Sequence, residues 1–276
     1  MNIDLHCHSN VSDGALAPRE VALRAARRGV DVWALTDHDQ VAGLPEARTA
    51  ALEAGMRFVA GVEISVTWRG STLHIVGLRI DPGNPTLASG LAKVRGGRRE
   101  RAKRMAEELK ARGIEGAYEG ALRHAENPDM VGRTHFARFL AEIGAVADTK
   151  GAFRRFLVPG KPGYVPHEWA DLADALAWIC AAGGQAVLAH PGRYNLSAGA
   201  MDSLLHEFRE AGGEAIEVVT GSHSPDQYAH FTALARHQGF AASRGSDFHG
   251  PDEGAEFGTL PPLDPDLRPV WRDWAL

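Results

Sequence analysis

With 276 residues, 44% of them hydrophobic and 24% charged, the chain can form one large barrel or two ordinary domains and has a soluble, globular composition. No apolar run approaches the roughly 20 residues needed to cross a bilayer, and Met1-Asn2-Ile3-Asp4-Leu5-His6 enters a strand at once without a signal-peptide layout, so the expectation is a cytoplasmic protein with no membrane partner. A net charge of −5 argues against a chain that coats nucleic acid, yet it leaves an anionic substrate open if bound metal ions dominate the local field.

In chain order, a strand at Asn2–His6 precedes a helical pattern at Pro18–Arg28, closed by Gly29 as a C-cap. A strand at Val30–Thr36, a helix at Leu44–Ala54 and a strand at Met56–Val62 follow. Trp68-Arg69-Gly70-Ser71 then reads as a tight hairpin between Glu63–Trp68 and Ser71–Leu78, within a strand expected over Thr72–Ile80. From about Asn84 to Pro166 no strand is convincing. Helical pieces at Leu91–Arg112, Tyr118–Glu126, Thr134–Ile143 and Ala152–Leu157 read as an insertion that closes on Pro159-Gly160-Lys161-Pro162-Gly163-Tyr164. The strand–helix rhythm then resumes: helix Trp169–Ala182, strand Gln185–Ala189, helix Ala200–Ala211, strand Ala215–Val219, helix Pro225–Gln238, strand Phe240–Arg244. Strands alternating with helices imply a mainly parallel sheet with helices outside. The expected fold is α/β, a distorted seven-stranded (β/α)7 barrel made of residues 1–83 and 167–276, with 84–166 as a helical insertion subdomain. Cys7 and Cys180 are too few for a disulfide framework and are expected to be buried. Arg95, Arg98, Arg99, Arg101, Lys103 and Arg104 crowd one predicted helix and are expected to form a solvated face, with a substrate-binding role, such as guiding an RNA strand, as the alternative.

Histidine carries the chemistry. His6 and His8 end the first strand as H-x-H, and a period of two puts both imidazoles on one face. Asp13 lies in the following loop, His38 in Thr36-Asp37-His38-Asp39 just past the second strand, and Glu63 ends the third. His190 closes Val187-Leu188-Ala189-His190, and Asp247 and His249 form D-x-H after the last strand. Parallel barrel strands bring their C-terminal ends to one face, so these residues are expected to converge. Imidazole nitrogen with carboxylate oxygen, and no thiolate, suits Mn²⁺, Zn²⁺ or Fe²⁺ at a catalytic site. His74 lies inside a strand. If Arg69-Gly70 is the two-residue loop, Ser65 faces His74, which then projects diagonally toward Glu63; a one-residue slip would turn it away.

These residues resemble the PHP (polymerase and histidinol phosphatase) family, through Asp4-Leu5-His6-Cys7-His8-Ser9 with Ser12-Asp13-Gly14, Leu35-Thr36-Asp37-His38-Asp39, Gly61-Val62-Glu63-Ile64-Ser65, Leu73-His74-Ile75-Val76-Gly77, Ala189-His190-Pro191 and Gly245-Ser246-Asp247-Phe248-His249. Within it the chain is similar to the TrpH/YciV group, nucleoside 3′,5′-bisphosphate phosphatases also described as RNase AM, through Val131-Gly132-Arg133-Thr134-His135 and Ala189-His190-Pro191-Gly192-Arg193-Tyr194. The resemblance implies two to three divalent metals, often Mn²⁺. His6, His8, Glu63 and Asp247 would hold the first, Glu63 would bridge to a second completed by His74 and His190, and Asp13, His38 and His249 would hold the third. It also implies removal of a 3′-phosphate by a water acidified between two metals, with His6, His8, Glu63, Asp247 and His223 in catalytic roles. Arg133, His135, Arg193 and His223 are expected to select the substrate, and Asp4, Asp37 and Asp39 to orient the ligand imidazoles. Tyr164 or Trp169 would stack on a base or pack in the core. The expected partner is a small nucleotide, with short 5′-phosphorylated RNA trimmed from its 5′ end as an extension. Rival readings are a phosphatase acting on histidinol phosphate or another small monophosphate, an amidohydrolase, and a metal-stabilised binding module. The amidohydrolase reading lacks a ligand lysine on a middle strand.

Overall fold

The computed structural model describes residues 1–275. Strand β1 (Ile3–Asp4) pairs in parallel with β2 (Val32–Leu35), and β2 with β3 (Arg57–Trp68). Helices α1 (Pro18–Arg27) and α2 (Leu44–Glu53) make the crossovers. The third strand does not stop at Val62. It runs on through Glu63 to Trp68 and turns into β4 (Ser71–Leu78) in one long antiparallel hairpin. Arg69 and Gly70 form the loop with φ of 46° and 78°, the left-handed pair that a two-residue hairpin turn requires. Ser65 pairs with His74, the register expected from that loop.

Antiparallel pairing of β4 with β6 (Gln185–Leu188) continues the sheet, and β7 (Ala215–Thr220) and β8 (Ala241–Gly245) follow in parallel. Leu5 N–H donates to the Arg244 carbonyl at 3.0 Å and Asp247 N–H to the His6 carbonyl at 2.8 Å, which joins β8 to β1. A seven-strand mixed barrel results, nearly closed. A further two-residue strand, β5 (Ala170–Asp171), pairs with β3, so the helix expected from Trp169 begins later, as α8 (Leu172–Ala181). Helices α9 (Ala198–Glu210) and α10 (Pro225–Gln238) cover the remaining crossovers.

Between β4 and β5 the chain is helical: α3 (Pro85–Gly96), α4 (Arg98–Lys110), α5 (Ala117–Arg123), α6 (Arg133–Glu142) and α7 (Thr149–Ala152), the last running into a π-helical turn at Phe153–Leu157. Leu87, Leu91 and Val94 of α3 join the barrel core, whereas Met105, Leu109, Phe136, Leu140 and Leu157 form a separate apolar cluster. The packing boundary therefore falls at Gly97, where a Cβ would run into the His167 ring. Arg98 and Arg101 turn inward and are buried, while Arg99, Lys103 and Arg104 stay in solvent, which corrects the expectation of a uniformly solvated basic face. Cys180 also departs from expectation. It is exposed, because α8 buries Leu172, Ala175, Leu176 and Ile179, and the residue after Ile179 lies about 100° further round the helix.

Candidate metal centre

Glu63 is the hub of the strand-end cluster. Its Oε1 lies 2.9 Å from His74 Nδ1 and 3.0 Å from His190 Nε2. Its Oε2 lies 3.3 Å from His6 Nε2, 3.2 Å from His8 Nε2 and 3.0 Å from His38 Nδ1. The Asp247 Oδ1 approaches His6 and His8 Nε2 at 3.5 and 3.3 Å. Asp13 Oδ1 lies 3.5 Å from His249 Nε2, and its Oδ2 lies 3.9 Å from His38 Nε2. All nine strand-end and loop residues singled out from the sequence thus meet in one place. His190 and Asp247 reach it on a left-handed backbone, with φ of 27° and 56°. Such strain is tolerated where the surrounding structure fixes a side chain for a task.

A metal fits this donor set. Glu63 Oε2, Asp13 Oδ1, Asp247 Oδ1, His8 Nδ1, His38 Nδ1, His74 Nδ1 and His190 Nδ1 are buried and make no hydrogen bond. Buried polar atoms left unpaired are costly, so a cluster of them turned toward one another calls for a cation. Ligand-competent atoms lie close together in four groups: His8, Asp13, His38 and His249; His6, Glu63 and His190; His6, His8 and Asp247; His38, Glu63 and His74. Burial would raise the Glu63 carboxyl, but the imidazoles of His38, His74 and His6 hold it well below its usual range. Asp247 is likewise held down, against its desolvation, by His6 and His249. Both are carboxylates ready to ligate.

The orienting groups differ from those expected. Asp37 and Asp39 alternate with His38 and point away from it. Asp37 accepts from Ser9 N at 2.7 Å and Ser12 Oγ at 2.6 Å, and Asp39 from Ser65 N at 2.8 Å. Asp4 accepts from Ser246 N at 2.9 Å. These carboxylates fix the loops rather than the ligand rings. The imidazole is oriented instead by Glu217, in the middle of β7, whose Oε1 lies 2.8 Å from His6 Nδ1 and whose Oε2 accepts the His190 N–H at 2.6 Å. Its signal in the sequence is a carboxylate inside the apolar run Ala215-Ile216-Glu217-Val218-Val219. Replacing Glu217 with Gln is expected to weaken metal affinity about 10- to 100-fold, read by competitive chelator titration. An affinity within twofold of wild type would show that Glu217 does not orient His6. Thr134, at the start of α6, was also missed; its hydroxyl donates to Asp13 Oδ2 at 2.9 Å.

The four residues expected to select the substrate separate. Arg193 donates to Asp247 Oδ2 at 3.0 Å, and Arg133 joins it in lining the cavity over the cluster. His135 does not line that cavity. Its Nδ1 accepts the Gly132 N–H at 3.0 Å, the capping role, and the ring is 1% exposed. His223 is locked as well. Its Nδ1 donates to the Val218 carbonyl at 3.1 Å and its Nε2 accepts the Gly192 N–H at 2.9 Å. Burial pushes its pKa down to about 4. Both nitrogens are held by backbone groups, and the ring braces the Gly192-Arg193 turn. Trp169 lines the cavity under Arg98 and Arg101, whose Cζ atoms lie 4.8 and 5.2 Å from its ring centre. The cavity is narrow, about 70 Å³. A wider cleft of about 600 Å³, lined by Lys150, Ser222 and Gly254, shares Thr134, Phe153, Arg193, Asp247 and His249 with it.

A mixed barrel that gathers imidazoles and carboxylates at its strand ends defines a metal-dependent phosphoesterase of the α/β-barrel class. The chain belongs to the PHP domain family, which it matches over residues 4–221. It is 53% identical to a 3′,5′-nucleoside bisphosphate phosphatase of Chromobacterium violaceum, over 99% of this chain and 96% of that protein. It is 42% identical to the 5′-3′ exoribonuclease Rnm of Escherichia coli, over 98% of this chain and 93% of that one. A solved structure from Chromobacterium violaceum, described as an amidohydrolase with bound sulfate and no metal, superposes with a TM-score of 0.96 at 52% identity, covering 99% of this chain and 95% of that one.

Proposed function

We propose that this chain removes the 3′-phosphate from nucleoside 3′,5′-bisphosphates, and that the same site trims short 5′-phosphorylated RNA one nucleotide at a time from its 5′ end. The observation that carries the reading is that the ligand cluster and the side chains of Arg133 and Arg193 line one cavity. A phosphoester at the cluster and an anion on an arginine can then belong to one small molecule. The names of the relatives at 53% and 42% identity support the two halves of the proposal. A reaction on nucleotides and RNA supports a cytoplasmic reading.

Three divalent ions, Mn²⁺ by preference, would be held by His6, His8, Glu63 and Asp247; by Glu63, His74 and His190; and by Asp13, His38 and His249. When bound, they would neutralise charge on the phosphoryl oxygens and make water more acidic. The protein's own part is positional. Glu63 ties five imidazoles, carried on β4 and just past β1, β2 and β6, to one carboxylate, Glu217 fixes the His6 ring, and Arg193 reaches the phosphate from beside Asp247 through a forked donor. Residues 84–166 act as a helical insertion on a barrel formed by 1–83 and 167–276, with α3 packed onto the barrel core and the part after Gly97 supplying Arg133 to the cavity.

Phosphate release with Mn²⁺ supplied, compared across 3′,5′-bisphosphoadenosine, histidinol phosphate and 5′-AMP, tests the substrate. The bisphosphate is expected to lead by at least about 100-fold in kcat/KM, on the order of the 3 kcal/mol that a charged hydrogen bond can add. Equal turnover of the three would exclude the bisphosphate assignment. On RNA, release of 5′-mononucleotides that stops when the 5′ end is a hydroxyl is the expected signature.

A further inference from the structure

Two cavities meet at the imidazole–carboxylate cluster. The narrow one has a volume of about 70 Å³. The wide one, about 600 Å³, lies in the range of clefts that enclose a small organic ligand. They share Thr134, Phe153, Arg193, Asp247 and His249, so the wide cleft opens directly on the cluster. Its other walls come from three places: Thr149 and Lys150 of α7, Gly221 and Ser222 just past β7, and Gly254 in the loop after β8. Among the described residues none of α4 lines it, so the basic helix does not border this space.

The lining of the wide cleft suits a single nucleic-acid strand. Lys150 is exposed and forms no ion pair among the described residues. The carboxylates of the cleft are already engaged: Glu253 with Arg138, at 2.5 and 2.9 Å, and Asp247 with Arg193, at 3.0 Å. Phe153 stands half-buried at the threshold between the two cavities and opens the π-helical turn Phe153–Leu157, a distortion frequent at functional sites. An aromatic ring beside an unpaired cation is the pairing by which proteins track a single strand, the ring stacking on a base and the cation meeting a phosphate. Gly221 and Gly254 add only backbone to the wall, which lets a strand come close.

We propose that the wide cleft is the path of an RNA strand on the 3′ side of the bond being cut, with Phe153 stacking on a base and Lys150 meeting a phosphate. The proposal rests on the RNA half of the reading above and deepens it. In a nucleoside bisphosphate the 3′-phosphorus carries three terminal oxygens; in RNA one of them is the O5′ of the next nucleotide. The same bond breaks in both. Water adds to phosphorus, the P–O3′ bond opens, and O3′ takes one of the water's protons. The phosphate departs free from a bisphosphate and stays on a shortened strand as its new 5′-phosphate. The esterified oxygen must therefore lead out of the cluster to the rest of the strand, and a cavity of about 70 Å³ leaves no room for a second nucleotide. The wide cleft supplies that room on the side of Asp247 and His249.

The test uses the Mn²⁺-loaded full chain as wild type, Ser222→Trp and Lys150→Gln, both substituted at residues that do not line the narrow cavity. Each receives 3′,5′-bisphosphoadenosine and 5′-phosphorylated penta-adenylate, the pentamer both as substrate and as competitor of bisphosphate turnover. An indole at Ser222 fills the cleft. Ser222→Trp is expected to lower kcat/KM on the pentamer about 10- to 100-fold and to raise its Ki as much, while bisphosphate kcat/KM shifts by no more than about twofold. Lys150→Gln should weaken the pentamer about threefold to tenfold, mainly through KM, and flatten the slope of log KM against log salt by about 0.7, the share of one phosphate contact on a single strand. Pentamer values within about twofold of wild type in both variants, or equal losses on pentamer and bisphosphate, overturn the path. If Ser222→Trp does not fold, Lys150→Gln is judged on the same criteria. A wild-type chain that leaves the pentamer uncut but is inhibited by it, with inhibition relieved in Ser222→Trp, overturns RNA trimming and leaves the strand path standing. A pentamer that is neither cut nor inhibitory overturns both.

Discussion

Replacing Glu63 with glutamine is expected to lower kcat/KM by on the order of 10³-fold, equivalent to about 4 kcal/mol of transition-state stabilisation. The substitution conserves shape and deletes one charge at the point where five imidazoles, from His6, His8, His38, His74 and His190, approach within 3.3 Å. An amide there turns a donor toward ring nitrogens that must stay unprotonated to ligate, and it cannot bridge two cations as a carboxylate can. The metal content measured by mass spectrometry after desalting should therefore fall along with the activity, while far-UV circular dichroism stays that of the wild type. A variant that keeps its full metal complement and at least a tenth of wild-type kcat/KM would falsify the bridging role. The neighbouring Ser65 provides a contrast. It bonds Asp39 and Arg98 rather than the ligand rings, so Ser65→Ala should leave metal content intact.

Gly245→Ala is expected to destabilise the chain by about 3 kcal/mol and lower Tm by roughly 6 to 12 °C. Gly245 ends β8 where the barrel closes on β1, and an added Cβ would sit 2.6 Å from His6 N and 2.9 Å from His6 Cα. Those are backbone atoms, flanked by the Leu5 N–H to Arg244 carbonyl and Asp247 N–H to His6 carbonyl bonds, so no side chain can swing aside. The strands must part, and His6 moves away from Asp247 as they do. Loss of stability and loss of metal should therefore appear together in one variant. Gly96→Ala is the control. A Cβ there, in the last turn of α3, meets nothing within 4 Å, and Tm should hold or rise slightly. Equal Tm values for the two variants would show that the closure tolerates a wider seam.

The nine members of the cluster were legible in the sequence because strand geometry is local. H-x-H on a strand projects both rings to one side, and a residue just past each parallel strand lies on a common rim. Even His74 was placed, since a two-residue turn fixes which side chains face each other and Arg69-Gly70 supplies that turn. Periodicity also marked the barrel helices closely: α10 was expected and found at Pro225–Gln238.

What sequence periodicity did not reveal are partners distant in the chain. Glu217 is adjacent to His6 only after β7 and β1 enter the same barrel, 211 positions apart, and Thr134 meets Asp13 across 121. The same limit misplaced the arginines of α4. A basic helix is read as solvated when its neighbours are unknown, and Arg98 and Arg101 are buried because α4 packs them over the Trp169 ring, against Asp39 and the Val165 carbonyl.

The histidines show the division in a single residue type. His135 and His223 stand in segments as suggestive as those of His38 or His190, yet one caps a helix and the other is held by two backbone groups. By itself the sequence determined the barrel class, the donor chemistry and the rim on which the donors lie, all of which follow from local dihedral periodicity and residue type. Only the tertiary structure decided which imidazoles keep a free nitrogen, which carboxylate orients them and which arginines are buried without a counter-charge. Those outcomes depend on desolvation and on hydrogen bonds between segments far apart in the chain.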